Sequence, residues 1–233
     1  MTSTALFVAN SDDADSGYVG ERFARRGYAA RTVLRDQGGL PVDLSDVDAV
    51  VLLGSEWSVH SPTDPVALAA ECELVRTAQA SGVPVLGLCY GAQVVAAALG
   101  GSVALAAVPE VGFVEVITDD PTLVPAGPWA QFHLDVIEPP PDARVVAQNA
   151  CGTQAFVLPG VLAVQFHPEV RPDTLDDWSR RFPELLVQAG LDRTALVAEA
   201  RDREPAARSA AHALVDAFLD RVGTQRGRST SSP

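Results

Sequence analysis

Short apolar runs alternate with amphipathic, alanine-rich segments along the amino-terminal part of the chain. This alternation is typical of a mostly parallel sheet covered by helices, because strands that are buried on both faces read as continuous apolar runs. The runs predict four strands, at Ala5–Ala9, Ala30–Leu34, Ala49–Leu53 and Val83–Leu88. The segments between and after them predict three helices, at about Ser16–Arg26, Asp64–Ala80 and Gly91–Leu99.

From Val103 onward the chain is richer in Val, Pro and Gly. Further strands are predicted at Phe113–Ile117, Arg144–Gln148, Ala155–Leu158 and Leu162–Phe166, as antiparallel additions and a return strand to the main sheet. Two helices should follow, at Asp173–Gln188 and at Asp192–Asp220, the second interrupted near Pro205. We therefore expect a single α/β domain over residues 1–222 and a flexible polar tail at 223–233.

Composition and charge exclude several classes of function. The formal net charge of −13 argues against nucleic acid and anionic membranes as partners, since both require a basic surface. All 17 cationic residues are Arg, which excludes Schiff-base, pyridoxal-phosphate and P-loop chemistry, because each of these depends on a lysine. The apolar runs are too short for a signal peptide or a membrane span.

Three widely spaced cysteines indicate reduced thiols, and with the missing leader they predict a cytoplasmic protein. No ligand cluster suggests a metal, and no motif suggests an organic cofactor.

The clearest local signal is Gly87-Leu88-Cys89-Tyr90-Gly91, between a buried strand and a helix. This is the spacing of a nucleophile elbow, with cysteine in place of serine. A side chain at the tip of such a turn requires glycine two residues to either side, since a larger residue would collide there. Cys89 would also lie at a helix amino terminus, where the dipole favours a thiolate. We interpret Cys89 as a nucleophile rather than a buried structural cysteine.

A cysteine nucleophile requires a base that can later protonate the leaving amine. His167 is the best candidate, because it ends a predicted strand and Pro168 forces the chain to turn there. That turn places His167 at the carboxyl edge of the sheet, where Cys89 also emerges. Glu169, two residues on, could hold the imidazole in the correct tautomer. The sequence thus predicts a Cys89–His167–Glu169 triad.

The other histidines are weaker candidates. His212 falls within an alanine-rich helix and is expected at the surface. His60 follows a loop after the third strand and could border the site, and His133 could be either a substrate contact or a packed loop residue.

The segments Gly87-Leu88-Cys89-Tyr90-Gly91-Ala92-Gln93 and Gln165-Phe166-His167-Pro168-Glu169-Val170 closely resemble the class I (triad) glutamine amidotransferases, and most closely the amidotransferase domain of GMP synthases. The resemblance extends roughly from Ala5 to Val170. It implies a flavodoxin-like α/β fold, a mostly parallel sheet flanked by helices. It also implies a γ-glutamyl thioester on Cys89, release of ammonia and hydrolysis to glutamate.

Further positions are assigned only through this resemblance. The segment that begins at Gly54 is similar to the family's oxyanion loop, in which the backbone N–H groups of Ser55 and Tyr90 would face the oxyanion. Ser55 replaces a family glycine and would be strained if that position required a positive φ. The resemblance gives Gln93 a role in holding substrate.

The segment from Trp129 to Asp135 is similar to the family's Trp-x-x-Ser-His-Gly-Asp segment, which contacts the substrate's α-amino and carboxylate ends. Phe132 replaces the serine there, beside His133, and Leu134 replaces the glycine.

Three functions remain open at this stage. The first is a glutaminase or amidotransferase subunit that passes ammonia to a separate synthetase or other acceptor enzyme. The second is a stand-alone γ-glutamyl hydrolase that acts on a γ-glutamyl amine or peptide, since the thioester chemistry is the same. The third is a non-catalytic binding or regulatory protein on the same fold, for which the altered oxyanion loop is the best support.

Overall fold

A computed structural model describes residues 2–41 and 43–229, and side chains only as far as residue 222. Its strands are β1 Ser3–Ala9, β2 Tyr28–Leu34, β3 Ala49–Leu52, β4 Val85–Leu88, β5 Ser102–Thr118, β6 Gly127–Glu138, β7 Arg144–Gln148, β8 Thr153–Leu158 and β9 Val161–Val164. Its helices are α1 Gly17–Arg25, α2 Pro65–Ala80, α3 Tyr90–Ala98, α4 Pro172–Arg181, α5 Pro183–Ala189 and α6 Arg193–Ser229.

The strands form one sheet in the order β2-β1-β3-β4-β9-β8-β7-β5-β6. Strands β2, β1, β3, β4 and β9 are mutually parallel, and their order is the 2-1-3-4-5 order of flavodoxin-like folds. The remaining strands extend the sheet in antiparallel fashion from β9. The expected α/β class, with a parallel sheet flanked by helices, is therefore confirmed.

The two faces of the sheet bury separate apolar clusters. On one face Phe7 of β1 packs with Phe23 of α1 and Phe218 of α6. On the other face Leu6 and Val8 of the same strand pack beneath α2 and α3. Successive side chains of a strand point to opposite faces, so a continuous apolar run is what a strand covered on both sides requires.

The antiparallel region departs most from the sequence prediction. Strand β5 has 17 residues, far more than the predicted Phe113–Ile117, and pairs with β6 through a register shift between Leu105 and Glu110. The segment that contains His133 is strand β6 rather than a loop. Both strands were underestimated because polar residues interrupt their apolar pattern, and β5 also has many exposed positions. Their pairing with each other, rather than an apolar run, defines them.

The carboxyl-terminal helices also differ from the prediction. The helix predicted at Asp173–Gln188 is two helices, because Pro183 cannot donate the hydrogen bond that would continue α4. The predicted interruption at Pro205 is wrong, since α6 continues through that residue. The tail predicted at 223–233 falls on residues whose side chains, or at 230–233 whose backbone, lie outside the described residues. No described helix is long and apolar enough to cross a membrane.

Replacing Pro205 by Ala should stabilise the protein. Pro205 is exposed inside α6, where a proline removes one helical hydrogen bond and clashes with the preceding turn. Proline is about 3 kcal/mol less favourable than alanine in a helix interior, so Pro205→Ala should raise the midpoint of thermal unfolding. At the neighbouring exposed position, Ala206→Gly should lower it. A lower midpoint for Pro205→Ala would show that the helix requires a bend at this point.

Candidate active site

Cys89 lies between the end of β4 and the start of α3 with φ 48° and ψ −110°. It is the one non-glycine residue with a positive φ in the described part of the chain. Such backbone costs about 1–3 kcal/mol and persists only where the surroundings fix it. Here the N–H of Cys89 donates to the carbonyl of Val164 at 2.9 Å, and its carbonyl accepts from the N–H of Gln93 at 3.0 Å. The strained turn is therefore held from the sheet and from the helix.

Both glycines of the elbow stand where another residue would collide with backbone. A Cβ at Gly91 would lie 2.2 Å from the carbonyl oxygen of Leu52 on β3. A Cβ at Gly87 would lie 2.9 Å from the Cα of Ala92 on α3. The glycines therefore let α3 start directly above the sheet, which places Cys89 at the carboxyl edge of the parallel strands.

His167 and Glu169 are both buried and contact each other at this edge. The Nδ1–H of His167 donates to Oε1 of Glu169 at 2.7 Å. The turn that carries them is fixed by two backbone bonds, from the His167 N–H to the carbonyl of Ala130 at 2.8 Å and from the Tyr18 N–H to the carbonyl of Glu169 at 3.0 Å. The imidazole is thereby oriented with Nδ1 away from the reactive side.

The other ring nitrogen of His167, Nε2, is buried and has no hydrogen-bond partner among the described residues. Gly54 lies beside both the ring and the Cys89 side chain, since a Cβ at Gly54 would lie 2.9 Å from Cε1 of His167 and 3.7 Å from Cβ of Cys89. Burial acts to lower the pKa of His167, but the neighbouring Cys89 and Glu169 outweigh it and raise that pKa well above its ordinary value. The site therefore favours a protonated imidazole beside the thiol.

Two buried glutamines stand next to the thiol. Nε2 of Gln165 lies 3.7 Å from Sγ of Cys89, and its Oε1 accepts a long bond of 3.5 Å from Nε2 of Gln93. Oε1 of Gln93 is buried without a partner in the part of the chain that the structure describes. A buried carbonyl in this state is available to an N–H donor from a bound molecule.

A cavity of about 450 Å³ opens over Cys89. Its polar lining includes Ser55, Ser58, Gln93, His133 and Asp135. Its apolar lining includes Trp57, Leu105, Leu134 and three rings that we call the aromatic wall: Phe132, Trp178 and Phe182. The sequence prediction placed Phe132 at the site and missed Trp178 and Phe182, which come from the carboxyl-terminal helices and have no local signal.

His133 lines the cavity, but both of its ring nitrogens have protein partners. Nδ1 lies 2.9 Å from the carbonyl oxygen of Asp135, and Nε2 lies 3.0 Å from Oε2 of Glu110 and 3.1 Å from Oε1 of Gln131. A substrate contact of His133 would therefore require one of these bonds to break.

The other two histidines lie apart from the triad. His60 is exposed at the rim of the cavity, and His212 lies on α6 with its Nε2 3.8 Å from Oε1 of Glu21.

Residues 23–180 match the family model described as glutamine amidotransferase class-I, which is more than half of the chain. The chain belongs to the class-I glutamine amidotransferases. It is 36% identical over 141 residues to the protein named as a subunit of the glutamine-hydrolysing GMP synthase of Sulfurisphaera tokodaii, a match that covers 56% of this chain and 72% of that protein.

Another relative of this class-I amidotransferase is the glutamine-hydrolysing GMP synthase of a Parafrankia species, 38% identical over 135 residues. That match covers 52% of this chain and 23% of the relative, so the chain spans less than a quarter of that longer synthase. The crystal structure of a glutamine amidotransferase from Thermotoga maritima has the same fold, with a TM-score of 0.84 at 22% identity, over 94% of this chain and 99% of that one.

The loop that was predicted to carry an oxyanion donor, at Ser55, shows no backbone strain in this amidotransferase. Ser55 does not have a positive φ, so the strain considered for this position is absent. Its Oγ accepts from the N–H of Trp57 at 3.0 Å, which fixes the turn after Gly54. Tyr90 is the first residue of α3, so its N–H has no acceptor within the helix.

Sequence reasoning missed the buried side chain that holds this loop, Arg35. All five N–H bonds of its guanidinium have acceptors. They donate to Oε1 of Glu71, Oδ1 of Asn10 and the carbonyls of Val8, Leu53 and Gly54, at distances from 2.6 to 3.2 Å. The other oxygen of Glu71, Oε2, accepts from the hydroxyl of Tyr90 at 3.1 Å. One ion pair therefore connects both segments that carry the candidate oxyanion donors.

Replacing Arg35 by Met should strongly destabilise the protein. The change leaves the fully buried carboxylate of Glu71 without its cation, which typically costs about 3–5 kcal/mol. Urea unfolding should show this loss. Arg31→Met, which removes an exposed ion pair to Asp46, is the matched control and should change the midpoint little. The double variant Arg35→Met/Glu71→Leu should recover part of the loss, because no charge is then stranded, and equal stability of Arg35→Met and Arg31→Met would contradict the role of the pair.

The pKa of His167 should fall when the thiol is removed. In Cys89→Ala burial still disfavours the imidazolium, but the stabilising interaction with the Cys89 side chain is lost. An NMR titration should record the drop, and Cys72→Ala should leave the titration unchanged.

The folded protein holds the proton of His167 more tightly than the unfolded chain does. His167 therefore contributes most to the stability of the wild type below about pH 6.5, and this contribution is lost as the pH rises through the raised pKa of His167.

Proposed function

We propose that this chain hydrolyses the side-chain amide of glutamine through a γ-glutamyl thioester on Cys89. The observation that carries this proposal is the strained backbone of Cys89 beside the buried His167–Glu169 pair. The thiol of Cys89 lies at a helix amino terminus, on a residue with a positive φ, and next to a histidine whose pKa is raised. This arrangement is typical of a catalytic cysteine.

In the first half of the reaction the Cys89 thiolate attacks the amide carbon, and the N–H groups of Ser55 and Tyr90 stabilise the oxyanion. Each such donor is typically worth about 2.7–4 kcal/mol in the transition state. The C–N bond then breaks while Nε2 of His167 donates its proton to the leaving nitrogen, which departs as ammonia. The neutral imidazole next takes a proton from water, the hydroxide attacks the thioester, and glutamate leaves as the thiolate and the imidazolium re-form.

The ammonia is proposed to pass to a separate acceptor enzyme, such as a synthetase subunit. The Sulfurisphaera relative is named as one subunit of a glutamine-hydrolysing GMP synthase, which supports a two-protein arrangement. The absence of lysine is consistent with activation chemistry on another polypeptide.

A second candidate is hydrolysis of a γ-glutamyl amine or peptide by the same thioester. The cavity favours this candidate, because its volume and the extent of its apolar lining exceed what free glutamine needs.

Glutamate release from glutamine by the purified protein tests the first candidate. Turnover should fall at least a thousandfold in Cys89→Ser, because removal of a nucleophile leaves only the weak catalysis of binding and the oxyanion donors. Cys151→Ser is the matched control and should keep full activity. A diazoketone analogue of glutamine should also label wild type and Cys151→Ser but not Cys89→Ser. If neither turnover nor labelling depends on Cys89, the enzymatic proposal is wrong.

A further inference from the structure

The aromatic wall begins at the imidazole of the triad. The ring of Trp178 lies edge-on to that of His167, with 4.7 Å between centroids. Phe132 follows at 5.6 Å from Trp178, and Phe182 at 6.2 Å from Phe132. All three line the same cavity as Cys89, so a continuous apolar surface runs from the candidate general acid to the junction of α4 and α5.

The position of His167 identifies which end of a substrate meets this wall. A general acid must lie within hydrogen-bond reach of the atom that it protonates, and here that atom is the leaving nitrogen. Whatever is attached to that nitrogen is therefore next to His167 and can lie against Trp178. Glutamine has only hydrogen atoms at this nitrogen, so it would leave the wall without a partner.

Charged residues also line the cavity, among them Asp13, Arg181 and Glu184. The indole N–H of Trp178 donates to Oδ2 of Asp13 at 2.7 Å, so one oxygen of that carboxylate already has a partner. Arg181, at the rim, forms an ion pair with Asp12. Two further polar residues of the cavity are bonded to each other, since Oγ of Ser58 donates to Oδ2 of Asp135 at 2.6 Å.

We propose that the site cleaves γ-glutamyl amides of aromatic primary amines, with the amine's ring against Trp178, Phe132 and Phe182. The proposal rests on the thioester chemistry at Cys89 proposed above and specifies the leaving group. The C–N bond breaks with transfer of the His167 proton to nitrogen, and the aromatic amine departs in place of ammonia. Water then hydrolyses the thioester to glutamate, so no oxidant or further reactant is required.

The direct test compares γ-glutamyl benzylamide with γ-glutamyl methylamide. Each added methylene in a hydrophobic pocket changes specificity by about 10-fold or more, so kcat/KM for the benzylamide should be at least tenfold higher. A benzylamide no better than the methylamide would overturn the proposal, even if glutamine itself is hydrolysed. γ-Glutamyl 4-aminobutylamide serves as a cationic comparison, and a preference for it over the benzylamide would also overturn the proposal.

Binding to Cys89→Ala gives an answer that does not depend on turnover. Calorimetry should show that this variant binds the benzylamide about tenfold more tightly than the methylamide, and equal affinities or no binding would overturn the proposal. If Cys89→Ala prefers the benzylamide but the wild type shows no turnover that depends on Cys89, the proposed thioester chemistry is wrong. Failure of the chemistry can therefore be distinguished from failure of the leaving-group proposal.

Two phenylalanine variants locate the effect. Phe182→Ala should reduce the ratio of the two kcat/KM values, benzylamide over methylamide, about tenfold. The reason is that the ring of the benzylamide loses its contact with the Phe182 side chain. Phe113→Ala is the matched control, since Phe113 packs in the same apolar cluster but does not line the cavity, and it should leave the ratio unchanged. If Phe182→Ala does not fold, Phe182→Leu provides the same comparison. An equal change of the ratio in both variants would show that the wall is only part of the core.

Discussion

The buried ion pair between Arg35 and Glu71 is the constraint on which the site depends. A guanidinium without solvent contact must satisfy all of its donors within the protein, and here three of them bond the carbonyls of Val8, Leu53 and Gly54. These carbonyls belong to two adjacent strand ends, so the requirement for satisfied hydrogen bonds fixes the loop that passes beside the thiol. Glu71 extends the same requirement to the first residue of α3.

The site combines two parts of the chain that differ in how they are built. The thiol and the imidazole stand at the ends of parallel strands, where the backbone N–H of Cys89 bonds to Val164 on β9 and that of His167 bonds to Ala130 on β6. The aromatic wall comes from β6 and from the short helices after β9, which pack on the antiparallel extension. A change in a side chain of the wall leaves these backbone bonds in place, and variation of this kind lets one fold host many functions.

The parts of the site that could be predicted from sequence are those whose cause is local. Cys89 was predictable because its glycines and the adjoining apolar strand lie within a few residues, and His167 because Pro168 ends its strand. Arg35 and Glu71 were not, since they are 36 residues apart and each reads singly as an ordinary surface charge. Pro205 shows the reverse error, in which a valid local rule is outweighed by the packing of a long helix against α1 and α4.

The burial of the thiols has a consequence for any attempt to count or map them. Cys89 is 3% exposed, whereas Cys72 and Cys151 are partly open to solvent. A general alkylating reagent can therefore reach both of these thiols. Burial raises their pKa, so they react slowly with it at neutral pH. A thiol titration would therefore report mainly on the two cysteines unrelated to the cavity. The third requires a reagent small enough to enter the cavity, so a lack of reaction with a bulky thiol reagent would carry no information about its reactivity.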